Sequence, residues 1–178
     1  MATDALAQDA VYSGASDARL ERVLLHYEIE QFNATYARYL DNEELDKWSD
    51  MFSENALYVV LSRENYERNL PTGVIYCENR GMIRDRALAL AETSMFAPRY
   101  LRHMVSNLSI LGVEPNGDIR TTANYLIAEV LFDRPDARLH QIGVYYDVFT
   151  RAGSSLQLRE RKCVYDSLLI FNAMCIPA

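Results

Sequence analysis

The last third of the chain, from His140 to Phe171, constrains the fold more than any other stretch. It reads HQIGVYYDVFTRAGSSLQLRERKCVYDSLLIF, two long runs rich in Val, Ile, Tyr and Phe parted only by Ala152-Gly153-Ser154-Ser155. β-Branched and aromatic side chains suit a pleated, half-buried surface, and turn residues between two such runs predict a long antiparallel hairpin. A lone hairpin is at best marginally stable in water, so the upstream chain must supply the surface that covers this one.

The second run carries four consecutive charges, Arg159, Glu160, Arg161 and Lys162. Because successive strand side chains alternate, Arg159 and Arg161 are expected on one face and Glu160 and Lys162 on the other. The plainer reading is a solvated face with cross-strand ion pairs, Asp147 being the nearest partner across the hairpin. The sharper reading is a sheet surface that meets another subunit.

With 178 residues the chain suits one domain, which at this size buries roughly 70% of its extended surface. The net charge of -7, with no basic stripe, argues against nucleic acid or an anionic membrane as partner. Cys77, Cys163 and Cys175 show no C-x-x-C spacing, and the N-terminus lacks a basic start followed by an apolar run. Reduced thiols and a cytoplasmic location are the expectation.

Residues 1–19 are mostly small and polar and read as a flexible arm; a single domain is expected over 20–178. Asp17 is a candidate cap for the helix that follows. Leu25, Ile29, Phe32, Tyr36 and Tyr39 recur at steps of four and three, the face of a long helix. Asp41 or Asn42 is expected to cap a short second helix striped by Leu45, Trp48 and Phe52, ending at Glu54-Asn55. Ala56 to Leu61 reads as a strand, residues 62–72 as an irregular excursion, and Gly73 to Cys77 as a second apolar run. Helical spacing returns with Ile83, Ala87, Leu90 and Ala91. Four extended runs follow: Met104 to Val113, Arg120 to Phe132, Leu139 to Arg151 and Leu156 to Phe171. Helices followed by an antiparallel meander predict an α+β fold, a strongly bent mixed or antiparallel sheet covered by about three N-terminal helices.

Chemistry is sparse. His26, His103 and His140 are far apart, and no His-x-x-x-His, Cys-x-His, glycine-rich phosphate loop or Gly-x-Ser-x-Gly elbow occurs. An acid/base pocket could be assembled from His103, Asp41 and some of the twelve tyrosines, though a lone histidine is more often structural. Cys163 reads first as a small buried hydrophobe. Asp85 and Arg86 are adjacent on the third helix and point to different faces.

Four runs then coincide: MIRDR (Met82 to Arg86), RYLRHMVSN (Arg99 to Asn107), GVYYD (Gly143 to Asp147) and LRERKCVYDS (Leu158 to Ser167). In order and spacing they resemble the small, or beta, subunits of aromatic-ring-hydroxylating oxygenases, from about Glu28 onward. RENYERNLP followed by MIRDR looks most like the subunits of enzymes acting on aromatic carboxylates, the salicylate hydroxylase type in particular.

The resemblance implies the cone of the nuclear-transport-factor-2 (NTF2-like) fold and a mainly structural role in an α3β3 assembly. It places the Rieske [2Fe-2S] cluster and mononuclear Fe(II) in a separate large (alpha) subunit, served by a ferredoxin or reductase, with no cofactor, metal or catalytic residue in this chain. Self-association as a trimer is implied too. Arg84, Asp85, Arg86, Arg102, His103 and Asn107 fall in the shared motifs, as do Tyr145, Asp147, Arg159, Arg161 and Asp166, and are expected to hold subunit contacts or sheet geometry. Two rivals remain: an autonomous dehydratase or isomerase using His103 with Asp41 or a tyrosine, and a binding module for a hydrophobic ligand.

Overall fold

The computed structural model describes residues 3–92, 97–167 and 177–178, with side chains from Asp17 onward. Ten elements follow in order: α1 (Thr3–Asp41), α2 (Leu45–Ser49), β1 (Phe52–Ser62), α3 (Arg63–Glu67), β2 (Ile75–Cys77), α4 (Arg80–Glu92), β3 (Arg99–Val113), β4 (Ile119–Leu131), β5 (Ala137–Ala152) and β6 (Ser155–Tyr165). The strands form one open sheet in the order β2-β1-β6-β5-β4-β3. The meander of β3 to β6 is antiparallel throughout, and β1 joins it in parallel alongside β6. The α+β class and the mixed sheet agree with the sequence. The expected extension of the last strand to Phe171, and Cys175, lie outside the described residues.

Helix α1 lays its predicted face on the sheet: Ile29, Tyr36 and Leu40 are fully buried, with Leu25, Phe32 and Tyr39 packed beside them. Its helical bounds reach back through residues 3–19, which the sequence set apart as an arm, and Asp17 lies inside the helix instead of capping it. From α4, Ile83 and Ala87 enter the same core, whereas Ala91 is exposed.

The short second helix differs from expectation. It ends at Ser49, and Phe52 opens β1, so Glu54 and Asn55 are strand residues. Trp48 and Phe52 still meet, at 5.3 Å between ring centroids, and Tyr58 packs edge-on against both at 5.5 Å. The i,i+4 spacing that imitated a helical stripe is a helix-to-strand corner closed by aromatic contact. Neither Asp41 nor Asn42 caps α2; the capping position is Glu44, which makes no side-chain cap bond.

Three local devices set the sheet geometry. In β6 the partners of Val148 and Phe149 are Glu160 and Leu158, which leaves Arg159 as the extra residue of a bulge. The bulge resets the alternation, so Arg161 turns inward with Leu158 while Arg159 stays at the rim. In β3 the pairing with β4 shifts between Ser106 and Ser109, and Asn107 between them has φ of 53°. Asparagine is one of the few non-glycine residues that enter this left-handed region readily. At Gly143 a Cβ would sit 2.1 Å from the Val164 carbonyl oxygen, so only hydrogen fits where β5 crosses β6.

Candidate functional site

The face of the sheet covered by α1, α2 and α4 holds a charged centre. Arg161 has no exposed side chain, and its guanidinium donates to both carboxylate oxygens of Asp147, at 2.8 and 2.7 Å, and to Asn33 Oδ1 at 2.6 Å. The rings of Tyr36 and Tyr145, set edge-on to each other, both lie against it, at 4.1 and 4.2 Å from the guanidinium carbon. The predicted pairing of Asp147 with this strand is thus present, but buried in the core instead of on a solvated face. Burial pushes the Asp147 carboxyl up while the adjacent guanidinium pulls it back. Cation–π contact with two rings and a bidentate fork satisfy a charge that would be costly to bury alone.

His103 and Asp41, proposed from sequence as an acid/base pair, do come together. Asp41 Oδ1 accepts from the His103 backbone N–H at 3.0 Å and sits 2.7 Å from Nδ1, while Nε2 lies 3.2 Å from the Pro177 carbonyl oxygen. Both ring nitrogens therefore face oxygen acceptors, and the side chain has no exposed surface. No nitrogen is left to take a proton from a substrate, so the pair fastens the end of α1 to β3 and to residues 177–178. The backbone of Ala178 is held beside it: its carbonyl accepts from Tyr36 Oη at 2.6 Å and Tyr58 Oη at 2.9 Å, and its N–H donates to Tyr58 Oη at 3.0 Å. Burial holds the hydroxyls of Tyr36, Tyr58 and Tyr145 well above the usual tyrosine range. The Cys163 thiol is likewise pushed up by burial, which removes it as a nucleophile. Sequence reasoning missed Asn33, Tyr36, Tyr58 and Ala178 as partners, because nothing in their spacing marks contacts across the chain.

The other singled-out residues disperse. Arg84 and Asp85 are exposed on α4, Arg84 pairing with Asp50, and Arg86 is half-buried near Cys77. Arg102 points outward from β3 and donates to the Leu101 carbonyl at 2.8 Å. Arg159 pairs with Asp118 at the rim, and Asp166 with Arg63 at 2.7 Å. A triad absent from the sequence reading, buried Glu129 with buried Arg99 and half-buried Arg138, ties β3, β4 and β5 together. Among the described residues no three His, Cys, Asp or Glu side chains gather to hold a metal. A Rieske cluster or mononuclear iron therefore does not fit these residues. A groove of about 600 Å³ runs between α1 and β3, with Ala34, Ala37, Val105 and Leu108 along it and Arg38 and Arg102 at its sides.

The outer face of the sheet is different in kind. Met104, Leu126 and Ile142 stand in register across β3, β4 and β5, with Met104 51% and Ile142 39% exposed. Tyr100 and Phe132 pack on each other beside this row at 4.5 Å between ring centroids, both largely exposed, and Leu139 extends it. Helix α3 covers only the other end of this face, where Tyr66 stacks on Tyr146 at 4.7 Å.

Residues 35–171 match the family described as the ring hydroxylating beta subunit. The chain belongs to that family. It is 30% identical over 151 residues to the anthranilate 1,2-dioxygenase small subunit of Burkholderia cepacia, covering 85% of this chain and 92% of that one. It is 26% identical over 150 residues to the terephthalate 1,2-dioxygenase terminal oxygenase component subunit beta 2 of a Comamonas species, covering 84% and 96%. The solved beta subunit of an aromatic-ring-hydroxylating dioxygenase from Novosphingobium aromaticivorans superposes with a TM-score of 0.78 at 31% identity, over 87% of this chain and 97% of that one. The fold is the NTF2-like one that the sequence motifs implied. The ring-hydroxylating beta subunit is a dioxygenase component. No helix among the described residues is long and apolar enough to cross a membrane.

Proposed function

We propose that this chain is the structural small subunit of a Rieske-type oxygenase acting on an aromatic carboxylate, assembled as an α3β3 hetero-hexamer in the cytoplasm. The observation that carries the assembly is the outer sheet face, where Tyr100, Met104, Phe132, Leu139 and Ile142 expose apolar side chains around Arg102. A monomeric soluble protein rarely leaves such a surface uncovered, and a permanent interface of 2,000 Å² or more would bury it. The substrate class rests on the relatives that take anthranilate and terephthalate, both aromatic carboxylates. The Rieske cluster and the mononuclear iron belong in this reading to the large subunit, which a ferredoxin or reductase supplies with electrons. Arg84, Asp85 and Arg102 are exposed and free to meet that subunit, whereas Tyr145, Asp147 and Arg161 act on it only by holding the sheet.

Purification of the tagged chain from its own host in mild salt, with partner identification and iron and sulfide analysis, tests the proposal. The expected result is a roughly equimolar larger chain carrying iron and labile sulfide. Recovery of a metal-free homo-oligomer alone would overturn it.

A further inference from the structure

The turns of α1 from Leu20 to Tyr27 carry a second apolar face that the fold does not use. Leu20, Val23, Leu24 and Tyr27 follow the i, i+3, i+4, i+7 pattern of a helical stripe, and each is between 55% and 60% exposed. At 100° per residue they lie on the far side of α1 from Ile29, which enters the core. Leu24 adjoins the exposed Val113 in a shallow groove, so the stripe continues onto the β3 end of the sheet. The family match itself begins at residue 35, downstream of the stripe.

The charges beside the stripe decide what fits it. Going round the helix, Asp17, Glu28 and Glu21 border one side, and Glu30, Arg19 and His26 border the other. Glu28 is held by Arg151 and His26 by Glu30, which leaves Asp17 and Glu21 facing one way and Arg19 the other. When two such helices face each other in parallel, the acidic border of each meets the basic border of its neighbour. In an antiparallel pair like meets like, which is repulsive.

We propose that this stretch of α1 docks on the same stretch of a second copy of the chain, in parallel and therefore about a cyclic axis. This deepens the self-association reading given above, yet it concerns α1 alone and stands or falls separately from the large subunit. A parallel arrangement sets each stripe residue beside its own counterpart. Leu20→Cys and Tyr27→Cys, made separately in the full chain and treated with a short-span bismaleimide, should therefore each give covalent dimers above the yield of the unmodified chain. Linking at one position only or at neither would mean an antiparallel pair or no pairing, and linking to a larger chain in the purified complex would mean a different partner. Any of these overturns the proposal, and none disturbs recovery of the large subunit. As a second measure, Leu24→Glu should weaken self-association in light scattering at least ten-fold while leaving the secondary structure of the chain unchanged, since Leu24 is mostly exposed.

Discussion

Arg161 shows how one residue can be costly alone and stabilising in company. It is held by Asp147, Asn33 and the faces of Tyr36 and Tyr145, with no solvent to share its charge. Arg161→Met leaves the Asp147 carboxylate buried without its partner, and stability should fall by about 3–5 kcal/mol. Asp147→Leu strands the guanidinium and should cost a similar amount. The double replacement leaves neither charge and should recover most of the loss, because burying a pair gains little over an apolar pair of like volume. Denaturant unfolding of the four proteins measures the coupling. Equal and additive losses would show that the pair does not interact as the geometry requires. The same residue marks where sequence reading ran out. Four charges in a row and Asp147 as the cross-strand partner were legible, but a surface ladder and a core pair look alike until the bulge at Arg159 is placed. That bulge has no residue signature, because any amino acid with ordinary φ and ψ can be the extra one.

At the scale of elements, period and turn chemistry carried most of the outcome. The meander from β3 to β6 was readable because β-branched and aromatic runs alternate with Pro, Gly and Asp breaks. The parallel seating of β1 on β6 was not, since parallel pairing leaves no local turn to read. The boundary at Phe52 failed because a side chain four residues after Trp48 meets it both on a helix and around a corner. Asn107 lies between these cases. Its place in a shared motif was visible, and the left-handed backbone gives the reason. Asn107→Gly should be close to neutral and Asn107→Val should lower stability by about 1–2 kcal/mol, the cost of placing a β-branched residue at positive φ. Thermal unfolding of the two variants separates this backbone role from a side-chain contact, which both replacements would lose equally.

For the whole molecule, one sheet serves two opposite ends. Its inner face is packed by α1, by the aromatic corner of Trp48, Phe52 and Tyr58, and by residues 177–178. Its outer face keeps apolar side chains in register across three strands with nothing over them among the described residues. The two faces therefore predict different responses to the same kind of change. Tyr145→Asp, on the inner face, should unfold the chain, because it buries a carboxylate among rings. Ile142→Asp and Met104→Asp, on the outer face, should leave the fold and the secondary structure intact, since both side chains already meet solvent in the isolated chain. What they should lose is assembly: a charge at the centre of an apolar interface has to be desolvated with no partner, at a cost of about 2–5 kcal/mol per contact, or roughly 30-fold or more in the association constant. Light scattering of the isolated variants, with the yield of larger chain in purification, reads this directly. Assembly at the unmodified level in both variants would mean that the exposed row is not where the subunits meet, and the search would pass to the groove between α1 and β3.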